Sequence, residues 1–202
     1  MSGAPIDFYF DFASPYAYLA SARIDALAGR WGRVVRWRPI LLGAVFKISG
    51  GMPNLNKPLQ GDYLRHDVPR CARLWGVPLH QPLPAPFPSL AASRAFYWLD
   101  QAGGEHSPAA LARALFHAHW AEGRDMALPE NVLDVAASLG LDRDAVEAGI
   151  AETAVKDRLR VETETAISRG VFGAPFFVVD GEPFWGADRM DQIEEWLRRG
   201  GW

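Results

Sequence analysis

An α/β domain carrying a long all-helical insertion is predicted by three features of the sequence. Strand-like segments lie only near the two ends of the chain. Between them, helical patterning continues with no strand signal from Phe46 to Val171. Each end also joins a strand to a helix through a turn punctuated by Ser, Pro or Gly, the residues that fix such turns.

Ile6–Phe10 reads as a short strand. Ser14 then suits the N-cap and Pro15 the first helical position, with the helix running through Tyr18, Leu19, Ile24 and Leu27 to about Gly29. Val34–Ile40 alternates as a second strand, and such a β-α-β unit in one parallel sheet needs a right-handed crossover. Gly43 to Pro58, rich in Gly, Pro and Asn, reads as a long functional loop. Pro78 to Pro88 is a second irregular connection. Helices are expected over Tyr63–Trp75, Ser89–Gln101, Pro108–Glu122, Pro129–Leu139 and Arg143–Arg169, the last with a break near Thr153. Phe176–Val179 is a strand, Asp180-Gly181 a hairpin turn, and Glu182–Trp185 the antiparallel return, where Pro183 demands a pairing that spares its missing N–H. Asp188 is placed as the cap of a final helix whose Met190, Ile193, Trp196 and Leu197 share a face. Residues 1–42 and 153–202 thus form the α/β domain, and 43–152 the insertion.

Composition narrows the function. Apolar residues make up 49% of the 202, which supports a packed core rather than disorder. No apolar run approaches the roughly 18 residues of a membrane helix, and Met1–Pro5 has no secretory pattern. A formal charge of -3 without a basic run argues against nucleic acid. The single cysteine, Cys71, forbids an intrachain disulfide and suits a reducing cytoplasm. Eight tryptophans and eleven phenylalanines would serve either a large core or an aromatic pocket.

Two segments carry chemistry when read together: Phe10-Asp11-Phe12-Ala13-Ser14-Pro15-Tyr16, and Val171-Phe172-Gly173-Ala174-Pro175 before the strand at Phe176. A helix N-terminus bearing a reactive residue and facing a proline loop is the thioredoxin-like arrangement. Cysteine normally stands where Ser14 does, often with a second cysteine at the position of Ala17, so thiol–disulfide exchange by the protein itself is excluded at this site. A serine hydroxyl there can still stabilise a bound thiolate, aided by free helix N–H groups and the positive end of the dipole. A charge-assisted hydrogen bond of roughly 1.5–3 kcal/mol plus about 1 from the dipole would bring a thiol from pKa near 8.5 to about 6–7. The competing reading of Ser14 is an ordinary N-cap. A cis Ala174-Pro175 bond would offer the Ala174 backbone to an extended peptide; the competing reading is a plain turn.

With Pro39-Ile40-Leu41-Leu42-Gly43, Tyr63-Leu64-Arg65-His66-Asp67, Trp120–Asp125 and Phe184–Arg189 in the same order, the chain resembles the 2-hydroxychromene-2-carboxylate isomerase family, in the DsbA-like, kappa-class glutathione transferase group. The resemblance implies a thioredoxin-like fold with an all-helical insertion, bound glutathione and a homodimer. It assigns Ser14 to the glutathione sulfur, the Val171–Pro175 loop (Val171, Ala174 and Pro175) to the tripeptide backbone, and Ala187 and Asp188 to the γ-glutamyl end. It implies a glutathione-dependent cis–trans isomerase of a small aromatic acid, of the kind used in aromatic catabolism. A kappa-like transferase and a non-catalytic binding protein are the alternatives.

An Asp188 carboxylate beside free helix N–H groups suits an amino-acid head group, or is a cap without a ligand. Two positions depart from the family pattern: Gly51 stands where asparagine is common and Gln60 where lysine is common. The resemblance gives both to the glycine end of glutathione, where Lys57 is either a substitute or a solvated loop residue. His117 and His119, two apart on a helix, point in different directions and make a poor metal pair. Cys71 reads as a small apolar residue. Asp11 either tunes the site electrostatically or serves the turn.

Overall fold

Ile6, Phe8 and Phe10 are fully buried, and Tyr9 between them is buried on the opposite face, so the first strand can only be central. In the computed structural model, which describes residues 3–202, β1 (Ile6–Phe10) occupies that place in a four-stranded sheet of order β2-β1-β3-β4. It runs parallel to β2 (Val35–Pro39) and antiparallel to β3 (Phe176–Val179), which pairs in turn with β4 (Glu182–Trp185). Pro183 lies on the edge strand opposite Val178, where no missing donor is felt. Phe8 stacks on Phe10 and Phe177 and meets Trp37 edge-on, so much of the aromatic content is core.

The expected helix to Gly29 is two helices, α1 (Pro15–Ser21) and α2 (Ile24–Arg30). Ala22 and Arg23 lie between them, and both donate backbone bonds into the last turn of α1. The expected loop from Gly43 is also corrected. It holds a helix, α3 (Leu42–Ser49), ended by Gly50 at φ 69°, followed by a 3-10 turn at Asn54–Asn56. Val45 of α3 fills an apolar cluster with Tyr9, Ile40, Val171 and Phe176 beneath the sheet. Tertiary anchoring of this kind outweighed the breaker-rich composition around it.

Between β2 and β3 every further element is helical: α4 (Gln60–Trp75), α5 (Leu90–Ala102), α6 (Pro108–Trp120), α7 (Pro129–Ser138), α8 (Arg143–Ala151) and α9 (Thr153–Ser168). The break before Thr153 is present at Glu152. Gly149 of α8 lies under Trp98 of α5, where a Cβ would come within 2.1 Å of the indole. After β4 a 3-10 turn, Ala187–Arg189, leads into α10 (Met190–Arg199).

His117 is exposed and His119 buried, as their spacing requires. His119 lies against Phe87 and Trp120, with Nδ1 2.9 Å from the Arg124 carbonyl. That acceptor fixes the proton on Nδ1, and Nε2 is buried without a partner among the described residues. Burial lowers its pKa from the ordinary 6.5. The unfolded chain therefore takes up the proton first as pH falls below about 6.5, and stability drops by up to about 1.4 kcal/mol per pH unit until the folded value is reached. Urea midpoints at pH 7.5 and 5.5 should show this loss in the wild type and not in His119→Gln; equal losses would exclude His119 as its source.

Candidate active site

The turn after β1 is shaped by one carboxylate. Asp11 is 4% exposed. Its Oδ1 accepts the Ala13 N–H at 2.9 Å and the Ser89 O–H at 2.7 Å, and its Oδ2 accepts the Leu42 N–H at 2.7 Å. Its own carbonyl receives the Ser14 N–H at 2.9 Å. Asp11 thus pins the site turn to the first residues of α3 and α5. Burial pushes its pKa up, against the lowering effect of those three donors.

Ser14 is the N-cap of α1, with φ -96° and ψ 115°, and Pro15 occupies the first turn. Its Oγ accepts the Ala17 N–H at 3.2 Å and donates to the Ala174 carbonyl at 3.0 Å. The two segments far apart in sequence are therefore in direct contact, and the Ala174-Pro175 bond is cis. Val171, at the start of that loop, has its side chain buried in the cluster with Tyr9, Ile40 and Val45.

The Asp188 turn is tied to the same loop. The Gly186 N–H donates to the Pro175 carbonyl at 3.0 Å. Gly186 has φ 110°, a conformation that strains any other residue, and a Cβ there would push aside the exposed Asp188 carboxylate, whose Oδ1 it would meet at 2.3 Å. Asp188 does not cap α10, as the sequence suggested. It sits within the 3-10 turn, exposed and 3.1 Å from Arg189, while Arg189 takes the N-cap place without a side-chain bond. Ala187 and Asp188 open that turn, so their N–H groups have no intrahelical acceptor. The structure brings Ser14, Ala174, Pro175, Ala187 and Asp188 into one bonded chain of contacts.

A second network was not legible as chemistry. Tyr16, two residues past Ser14, donates its hydroxyl to Asp67 Oδ2, and Tyr63 donates to Oδ1 at 3.1 Å beside Arg70. Burial and then Asp67 push the Tyr16 pKa far up. Cys71 Sγ is 3.6 Å from Asp67, and burial together with that carboxylate raises its pKa, which keeps it a thiol rather than a nucleophile. The only sequence signal was the Tyr63–Asp67 motif itself.

A family model, the DSBA-like thioredoxin domain, matches residues 5–198. A 2-hydroxychromene-2-carboxylate isomerase of Pseudomonas putida is 36% identical over 196 residues, covering 96% of this chain and 94% of the relative. The chain belongs to that isomerase family. The solved structure of a 2-hydroxychromene-2-carboxylate isomerase superposes with a TM-score of 0.87 at 36% identity, over 98% of this chain and 95% of that one. Human glutathione S-transferase kappa 1 is 28% identical over 211 residues, covering 95% of this chain and 92% of the relative. The fold is thus the DsbA-like thioredoxin fold, and the chain is a member of an enzyme family named for isomerisation. No helix is long and apolar enough to cross a membrane among the described residues.

Proposed function

We propose that the protein is a glutathione-dependent cis–trans isomerase of an aromatic 2-oxo acid, of the type that interconverts 2-hydroxychromene-2-carboxylate and trans-o-hydroxybenzylidenepyruvate. The observation that carries this reading is the Ser14 hydroxyl, held at a helix N-terminus and against the Ala174 carbonyl. The residues fit the tripeptide: a hydroxyl without a neighbouring cysteine for the sulfur, the loop backbone for the peptide, and an exposed carboxylate beside free amides for the γ-glutamyl head group. Bound glutathione would supply the thiolate whose reversible addition to the conjugated double bond lets that bond rotate, and it is regenerated unchanged.

The protein's part is positioning and charge stabilisation. A serine has one hydroxyl proton, and without ligand it is given to Ala174. A tripeptide N–H that takes over the Ala174 carbonyl would release that proton toward the sulfur. The α1 N-terminus supplies partial positive charge at the same place. A kappa-like transferase is the second reading, favoured by the human relative. Product analysis separates the two, since conjugation consumes glutathione stoichiometrically and isomerisation leaves it constant. A glutathione titration that gives no thiolate absorbance would leave only a binding protein. We also infer a homodimer, a cytoplasmic setting and an insertion spanning 43–152, the first from the family and the second from the lone half-buried Cys71.

The glycine end of glutathione is the weak point of the site. A Cβ at Gly51 would come within 2.9 Å of the Phe46 ring, so an asparagine there would have to displace that ring. Gln60 is the exposed first residue of α4, and it follows Leu59 at φ 65°. Lys57 is half-buried and forms no ion pair among the described residues. Gln60→Lys at this exposed position is expected to add about 0.2–1 kcal/mol, up to about a fivefold fall in KM for glutathione with kcat little changed. The gain should shrink with salt and vanish with an analogue lacking the glycine carboxylate. An unchanged KM would place that carboxylate elsewhere, and Lys57→Met would then show whether Lys57 already holds it.

A further inference from the structure

The far end of α1 closes on a cavity of ≈ 450 Å³ between α1, the end of α4 and α6. Tyr18, Val77 and Pro78 give it apolar walls, Trp75 an aromatic one, and Arg23 and Arg113 cationic edges; no carboxylate is among its lining residues. Ser14 caps the opposite end of α1, and seven helical residues separate the two by about 10 Å. None of the residues assigned to the thiol site lines this cavity.

Arg23 sets its chemistry. The guanidinium lies 4.4 Å from the Trp75 ring centroid, and its side chain is only 25% exposed. Nη1 is buried with no hydrogen-bond partner among the described residues. The carboxylate facing it, Asp191, stands 3.7 Å from Nη2, outside hydrogen-bond reach, and is itself 90% exposed. Arg113, by contrast, is matched, with Nη1 donating to Asp25 Oδ2 at 2.6 Å. One wall therefore carries a partly desolvated cation with one buried donor, Nη1, that finds no acceptor among the described residues, a costly arrangement unless an acceptor arrives. Nη2 faces Asp191 and Glu194 on the far side.

We propose that this cavity binds a small aromatic carboxylate, with its ring on Tyr18, Val77 and Pro78 and its carboxylate on Arg23. Arg23 and Trp75 line the same cavity, so a carboxylate bound there lies beside the guanidinium. The volume lies within the range that encloses small organic ligands. Flat apolar walls favour an aromatic ring over inorganic phosphate, which needs polar surroundings, and a guanidinium whose Nη1 lacks a hydrogen-bond acceptor among the described residues favours an acid over a neutral ring.

Benzoate titrated into the full chain and followed by NMR at the Trp75 indole N–H should give a saturable shift. The shift should persist in the presence of glutathione. Benzyl alcohol and inorganic phosphate should each bind about tenfold more weakly or worse, as should benzoate to Arg23→Met. If Arg23→Met does not fold, Ala114→Phe, which fills the cavity from α6, must abolish the shift. The proposal is overturned by an absent or unsaturable shift, by equal affinity for benzyl alcohol or phosphate, by displacement with glutathione, or by retained binding in either variant.

Discussion

Ser14→Ala is expected to lower turnover by about 10- to 100-fold or more, because roughly 1.5–3 kcal/mol of thiolate stabilisation disappears with the hydroxyl. The fold should survive. Alanine removes the cap bond to the Ala17 N–H and the tie to the Ala174 carbonyl, together about 1–3 kcal/mol. These two losses are separable by measurement. A purely structural serine would move the urea midpoint and leave the ultraviolet titration of bound glutathione where it was. A serine that stabilises the thiolate would let that titration rise from about 6–7 back toward 8.5. Full activity in the alanine variant, with an unchanged titration, would remove Ser14 from the mechanism. Ser14→Cys is a further discriminator: it restores a proton donor of sorts, but its thiolate is expected to attack glutathione disulfide, releasing one glutathione and leaving a mixed disulfide, rather than turn over.

Much of this site was legible because its signals are local. Ser14-Pro15 declares a helix start through the cap and the fixed φ of proline, and Asp180-Gly181 declares a hairpin. Other parts depend on contacts that no window of sequence contains. Asp188 carries the signature of a cap, yet the chain takes one 3-10 turn first because Gly186 is held to the Pro175 carbonyl. Ser89 likewise looks like the cap of α5, but makes no side-chain bond to that helix. It donates to Asp11, 78 residues earlier. The helix α3 was hidden for the same reason. Its first N–H groups need an acceptor, and Asp11 supplies one from across the fold.

Asp11 consequently governs more of the structure than its place in a short turn suggested, and Asp11→Ala is expected to destabilise the protein by about 3–5 kcal/mol. One buried and two half-buried donors lose their acceptor at once: Ser89 O–H, and the Ala13 and Leu42 N–H groups. At about 2–4 °C per kcal/mol for a chain of this size, the melting temperature should fall by about 6–20 °C. Asp11→Asn should cost less, because an amide oxygen at the Oδ1 place can still accept from Ala13 and Ser89, while its NH2 faces the Leu42 N–H. Ser89→Ala removes one donor together with its bond and should cost about 1 kcal/mol. The order Ser89→Ala, Asp11→Asn, Asp11→Ala in urea midpoints checks the account, and a loss below about 1 kcal/mol for the alanine variant would overturn it. Acid acts on this residue in the opposite sense to His119. Burial raises the Asp11 pKa above 3.8, so the cost of its buried charge is present at neutral pH and relieved as pH falls through the folded value. The acid-induced loss should therefore track His119 and persist in Asp11→Asn. The same variant decides between the two roles the sequence left open. A hub that only holds the turn leaves the thiolate titration in place, whereas a charge that tunes the site would lower it when neutralised.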